Sequence, residues 1–131
     1  MQFPKEYQDL LKDETRAFVY LATIMDDGTP QVTPVWFDSD DEFILINTAA
    51  GRVKDHNMQA RPTVALVIQD PHDPYRYVQV RGKVVDRTLQ GADAHIDRLS
   101  LKYRGNPVYQ NRTPGMQRVI YKIQPESFDR H

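Results

Sequence analysis

The sequence predicts a mainly β protein, a small antiparallel barrel of six strands with short helices, occupying residues 1–131 as a single domain. Three features point there. Short runs of β-branched and aromatic residues alternate with Asp, Gly, Pro and Asn turn clusters. The strand–helix–strand rhythm that builds a parallel sheet is missing. A chain of 131 residues with 40% hydrophobic content buries one core and leaves little room for a second.

Phe3, Tyr7, Leu10 and Leu11 recur at helical spacing, and Pro4 suits a first turn, so a short amphipathic helix is predicted to end near Glu14. Residues 17–25 (AFVYLATIM) read as a strand buried on both sides. Asp26-Asp27-Gly28 supplies hairpin chemistry, a second strand covers 31–37, and Asp38-Ser39-Asp40-Asp41 reads as the next turn. A third strand over 42–47 completes an antiparallel meander. Thr48-Ala49-Ala50-Gly51 then leads into a helix over 52–60 that must stop before Pro62. Residues 63–69 (TVALVIQ) form the fourth strand, and Asp70-Pro71-His72-Asp73-Pro74 a tight loop. In the fifth strand, 75–86, Val78, Val80, Gly82 and Val84 share one face, with Tyr77, Gln79, Arg81 and Lys83 on the other. That second face suits a wet groove or a subunit contact better than a core. Leu89, Ala92, Ile96, Leu99 and Tyr103 mark a second amphipathic helix. Residues 105–116 make a long polar loop, and 117–124 close the sheet with Val119, Tyr121 and Ile123 inward.

Charge and motif content exclude several function classes. Lys plus Arg number 17 against 18 Asp plus Glu, a net charge of -1, so the basic excess of a general nucleic-acid binder is missing. The lack of cysteine removes disulfides, thiolate metal sites and thiol catalysis. No apolar run approaches the roughly 20 residues of a membrane span. Residues 1–12 are too charged for a signal peptide, so a cytoplasmic protein is expected. GxSxG, HExxH and GxxxxGK[ST] are all missing. His56, His72, His95 and His131 share no metal-ligand spacing and are expected at the surface. The carboxylates at 26–27 and 38–41 sit in turn sequences, where Asp normally bonds backbone, which argues against an acid/base pair.

Two segments draw attention chemically. Gly51 precedes a helix that opens with Arg52 and Lys54, although a helix N-terminus favours acidic side chains. Cations there are stable beside an anion such as a phosphate. The alternative is a solvated helix start whose charge Asp55 offsets. Residues two apart lie on opposite sides of a regular helix, so both cations reach one phosphate only if Arg52 is still in the loop or at its first turn. The second segment is Pro30-Gln31-Val32-Thr33-Pro34-Val35-Trp36-Phe37, where Pro34 demands an edge strand or a bulge. Backbone groups freed there can meet a flat heteroaromatic ligand beside Trp36; the alternative is a plain edge strand with Trp36 in the core. The loop 105–116, with Tyr109, Asn111 and Arg112, reads either as a cover over a groove or as a surface crossover.

In order, PQVTPVWF, NTAAGRVKDHNMQARPTVAL and DPHDPYRYVQVRGKV resemble the pyridoxamine-phosphate-oxidase-like split-barrel family, most closely its branch of small enzymes assigned to the deazaflavin coenzyme F420. The likeness runs nearly from Ala17 to Pro125. It implies a six-stranded antiparallel split β-barrel homodimer with cofactor grooves at the subunit interface. In that family an Arg-x-Lys after the third strand binds the cofactor phosphate, which falls on Arg52 and Lys54. Thr33, Pro34, Val35 and Trp36 would line the ring system; Asn47, Thr48 and Asn57 would support the phosphate and the sugar-like chain. Tyr77 and Gln79 are similarly placed along the fifth strand. The implied activity is hydride transfer between reduced deazaflavin and a small organic acceptor, with no catalytic side chain and no metal. FMN carries the same ribityl phosphate, so an FMN-dependent reductase or oxidase is the alternative, as is a non-catalytic deazaflavin or flavin carrier. No Trp follows Trp36 and the family's longer substrate-binding C-terminal part is not found, so the resemblance does not extend to vitamin B6 oxidation.

Overall fold

The computed structural model describes residues 3–40 and 42–130. Two 3-10 segments, Lys5–Leu11 and Asp13–Thr15, precede strands β1 (Phe18–Ile24), β2 (Pro30–Val35), β3 (Phe37–Asp40) and β4 (Phe43–Ala49). Helix α1 (Val53–Ala60), strands β5 (Thr63–Asp70) and β6 (Asp73–Thr88), helix α2 (Ala92–Arg104) and strand β7 (Arg118–Arg130) follow. All strands pair in one antiparallel sheet in the order β2-β1-β5-β6-β7-β4-β3. Its two edges, β2 and β3, are separated in the chain only by Trp36, so the sheet curls until its edges meet at that residue. Taken as one bent strand, β2 and β3 bring the segments to the six expected.

Pro34 sits opposite Tyr20 in β2, which is an edge strand and so tolerates the missing ladder donor. The hairpin from β1 to β2 turns at Gly28, whose φ of 86° only glycine adopts without strain. The concave face holds the core: Val19 and Leu21 of β1, Ile46 of β4, Leu66 and Ile68 of β5, Val78 and Val80 of β6, and Val119, Tyr121 and Ile123 of β7. Met58 closes it from α1, and Phe3, Tyr7 and Leu10 plug it from the N-terminal segment. Gly82 lets β6 press onto β7, because a Cβ there would stand 2.7 Å from the Gln124 carbonyl oxygen.

Several sequence expectations change. The N-terminal helix is 3-10, broken at Lys12 by extended backbone. It is pinned from β6 by Arg76, which donates to Asp9 (2.7 Å) and the Glu6 carbonyl (2.7 Å). Strand β1 is buried on one face only: a single curled layer has one core side, and Phe18 and Tyr20 point outward. Asp38, Ser39 and Asp40 are strand, not turn, because they pair with β4; Asp41 lies outside the described residues. The meander persists through the bend at Trp36, since β1 pairs with β2 and β4 with β3, although β4 does not pair with β2 itself. The loop at 70–74 shrinks to Pro71-His72, with Asp70 paired to Asp73. Strand β6 runs on to Thr88 through irregularities at Arg81/Gly82 and Val84/Asp86, and β7 continues to Arg130 to cover it. Leu89 falls before α2. Among the described residues no helix is long and apolar enough to cross a membrane.

Candidate functional site

A groove of about 330 Å³ opens at the seam where the sheet edges meet. Pro34, Val35 and Trp36 form one wall, Asn47 and Thr48 at the end of β4 the floor, and Arg52 and Lys54 the mouth of α1. Helix α2 adds Ile96 and Arg104, the following loop adds Tyr109 and Asn111, and Phe18 and Arg118 complete the lining.

Its electrostatics are one-sided. Arg52, Lys54, Arg104 and Arg118 line the groove, and among the described residues no carboxylate does. Burial, then the charges of Arg52 and Arg118, push the Lys54 ammonium below its ordinary pKa. Burial likewise lowers Arg118, with Arg52 adding repulsion. Asp55, the one acid in the first turn of α1, does not offset them. It is 1% exposed and faces the other way, accepting from Gly51 N (2.8 Å), Arg87 Nε (3.0 Å) and the Tyr121 hydroxyl. No side chain caps α1, and Arg52 is its N-cap in extended backbone (φ -69°, ψ 160°). Arg52 is therefore still in the loop while Lys54 is in the first turn, which removes the helical-spacing objection.

The other end of the groove is aromatic. Trp36 stacks on Tyr103 (5.3 Å between ring centres, 7° apart), and Tyr103 on Phe18 (5.5 Å). Tyr109 meets Trp36 edge-on at 6.2 Å, and the Arg104 guanidinium lies 5.8 Å from the Trp36 ring centre. The Tyr103 hydroxyl donates to the Ala17 carbonyl (2.6 Å) and accepts from Phe37 N (3.3 Å), so α2 fastens the seam on both sides of Trp36. Burial raises that hydroxyl's pKa and keeps it protonated.

Of the residues singled out in the sequence, Pro34, Val35, Trp36, Asn47, Thr48, Arg52 and Lys54 meet around this one groove. Thr33 is a neighbour in β2 but does not line it. Asn57 is turned away because α1 packs that face on β1: its amide donates to Thr23 Oγ1 (3.1 Å) and Met25 Sδ (3.2 Å). Tyr77 and Gln79 line a different groove of about 510 Å³, with Tyr20 and Val67, on the outer face of the sheet. Tyr109 and Asn111 of the loop do reach the main groove, whereas Arg112 is held by Asp93 (3.4 Å) and Asp97.

Sequence reasoning missed Phe18, Ile96, Arg104 and Arg118. Phe18 was hidden by reading β1 as buried on both sides, and Ile96 by being counted as core. Arg104 and Arg118, flanking the long loop, carried no motif. His95 corrects another expectation: its spacing with Ala92, Ile96 and Leu99 puts it on the inner face of α2, only 4% exposed. His56 is exposed and 3.1 Å from Asp26, His72 is exposed, and His131 lies outside the described residues. Among the described residues no three His, Cys, Asp or Glu side chains group to hold a metal.

A curled antiparallel sheet with an aromatic, cation-lined groove at its seam is a framework suited to a flat ligand that carries an anionic group. The chain belongs to the pyridoxamine 5'-phosphate oxidase family, whose model matches residues 3–130. Among solved structures it is similar to an F420 reductase at 35% identity and a TM-score of 0.85, covering 97% of this chain and 98% of that one. A conserved hypothetical protein from Mycobacterium tuberculosis (21% identity, TM-score 0.73, 98% and 85% covered) shares the fold. So does the Group A Streptococcus protein HupZ (16% identity, TM-score 0.68, 98% and 93% covered). No curated protein matches the chain significantly.

Proposed function

We propose that the protein is an F420-dependent oxidoreductase that transfers a hydride between reduced deazaflavin and a small organic acceptor. The observation that carries this reading is the convergence of Arg52, Lys54 and Arg118 on one groove that, among the described residues, no carboxylate lines. Cations held together against their own repulsion fit a phosphate ester, whose charge-assisted hydrogen bonds would be strong at a partly desolvated site. The uncapped amides at the start of α1 add to that field. Thr33, Pro34 and Val35 belong to the strand assigned to the ring and Trp36 follows it, with Thr48 and Asn47 beneath. The 35% identity to an F420 reductase favours deazaflavin over FMN.

When bound, the cofactor supplies the hydride chemistry. This chain's residues bind and orient: Arg52, Lys54 and Arg118 hold the phosphate, the Trp36–Tyr103–Phe18 stack gives a rigid wall, and Tyr109 narrows the opening. The reading includes a cytoplasmic, single-domain homodimer. Phe18, Tyr20, Val32 and Tyr75 are exposed apolar side chains, and Tyr77 and Gln79 lie beside Tyr20 on a face that a second copy would cover. A stable monomer in sedimentation at micromolar concentration would remove that part. The test of function is a parallel titration with F420, FMN and haem. F420 is expected to bind most tightly and the Arg52→Ala/Lys54→Ala double variant to lose it; equal binding by the double variant refutes the assignment.

A further inference from the structure

Behind the groove runs a buried polar chain that the proposed binding does not by itself require. The Asn47 amide nitrogen donates to the Ala92 carbonyl (2.9 Å) and lies 3.1 Å from His95 Nδ1, while its oxygen accepts from Arg118 Nε (2.9 Å). A carbonyl can only accept and a guanidinium can only donate, so these two neighbours fix which way the amide points. His95 Nδ1 therefore faces a donor and must accept, which places the ring's proton on Nε2. That nitrogen lies 3.6 Å from Asp38 Oδ2, and Asp38 is itself held by Arg98 Nη2 (2.6 Å) and Ser39 N (2.8 Å). His95, buried on the inner face of α2, thus adds a third contact to the amide besides those to Ala92 and Arg118.

We propose that His95 is a positioning residue: through Asn47 it aims the Arg118 guanidinium into the groove, and so sets how strongly the site grips an anion. The inference rests on the reading that Arg118 meets the cofactor's phosphate. It deepens that reading by naming a residue that touches no ligand and carries the aim across α2, β4 and β7. The histidine stands near a carboxylate without a hydrogen bond to it and meets a neutral amide through Nδ1.

The test is a fluorescence titration of F420 against wild type, His95→Leu, His95→Asn and Arg118→Ala at low and high salt. Arg118→Ala should weaken binding by about tenfold or more and flatten its salt dependence, as loss of one charge-assisted contact requires. His95→Leu should weaken binding about three- to tenfold with the same flattening, although no charge near the ligand has been removed. His95→Asn, which keeps an acceptor near the Nδ1 position, should recover most of both. A general packing role for His95 would lower stability without moving the salt slope. If Arg118→Ala loses affinity and His95→Leu matches wild type in affinity and slope, His95 has no positioning role and the groove assignment survives. If Arg118→Ala itself binds as wild type does, both fall. Should His95→Leu fail to fold, nitrogen NMR of the wild-type ring decides: a neutral ring protonated on Nε2 is expected, and a proton on Nδ1 overturns the proposal.

Discussion

Replacing Lys54 with Met should strengthen the empty protein and weaken the complex. Lys54 lies in a half-buried position where burial and the neighbouring charges of Arg52 and Arg118 hold its pKa below the ordinary 10.5. A lysine whose folded pKa is depressed binds its proton less tightly in the native state than in the unfolded chain. Stability therefore rises as pH climbs from the folded pKa toward 10.5, and the full penalty is present below the folded pKa. Met keeps the aliphatic stem and removes the charge. The relief, discounted for solvent screening, is about 0.5–1 kcal/mol, or an increase of roughly 2–4 °C in melting temperature for a chain of this size. Loss of one charge-assisted bond to phosphate costs the complex about 1.5–3 kcal/mol, or roughly a ten- to hundredfold weaker Kd. Urea denaturation without ligand and fluorescence titration with F420 read the two effects separately. A Lys54→Met protein that is less stable when empty and binds the cofactor normally would refute the reasoning.

Asp38 governs part of the acid limb. Burial raises its pKa, but His95, the Ser39 amide and Arg98 outweigh burial and bring the carboxyl down to about 2. Its stabilisation is present above the unfolded value of 3.8 and lost as pH falls toward about 2, so Asp38→Asn should flatten the stability profile in that window. An unchanged profile by urea titration would contradict this. Gly82→Ala drives a methyl to within 2.7 Å of the Gln124 carbonyl oxygen and should destabilise by about 1–3 kcal/mol; a wild-type denaturation midpoint would show that β6 and β7 yield there. Tyr103→Phe removes the hydroxyl that bridges Ala17 and Phe37, at about 1–3 kcal/mol. Because the chain has 1 Trp, loosening of the seam should appear in Trp36 emission, and unaltered emission and stability would deny Tyr103 its fastening role.

Much of this was legible in the sequence because local chemistry and tertiary role agree. Alternation in β6, the inward set of Val119, Tyr121 and Ile123, and the stop before Pro62 are local signals, and each appears in the fold. Pro34 announced an edge strand, but only the closed sheet shows that β2 and β3 are opposite edges joined at Trp36. The failures share a cause. Whether β1 has one buried face or two, or whether Asp38 ends a strand or continues it, depends on which element lies across from it. Register with β4 keeps Asp38 in the sheet against its turn-forming preference. Within the site, Arg52 and Lys54 were visible because cations at a helix start conflict with the local dipole. Arg104 and Arg118 conflict with nothing nearby in sequence. They acquire meaning only where the groove assembles them, as does His95, which an apolar count of the α2 face passes over.

The most direct test is a crystal structure of the protein with F420, reading the position of the phosphorus atom. The expected place is within hydrogen-bonding reach of Arg52, Lys54 and Arg118, with the ring toward Trp36. A phosphorus bound in the Tyr20–Gln79 groove, or anywhere else with those three side chains left to solvent, contradicts it.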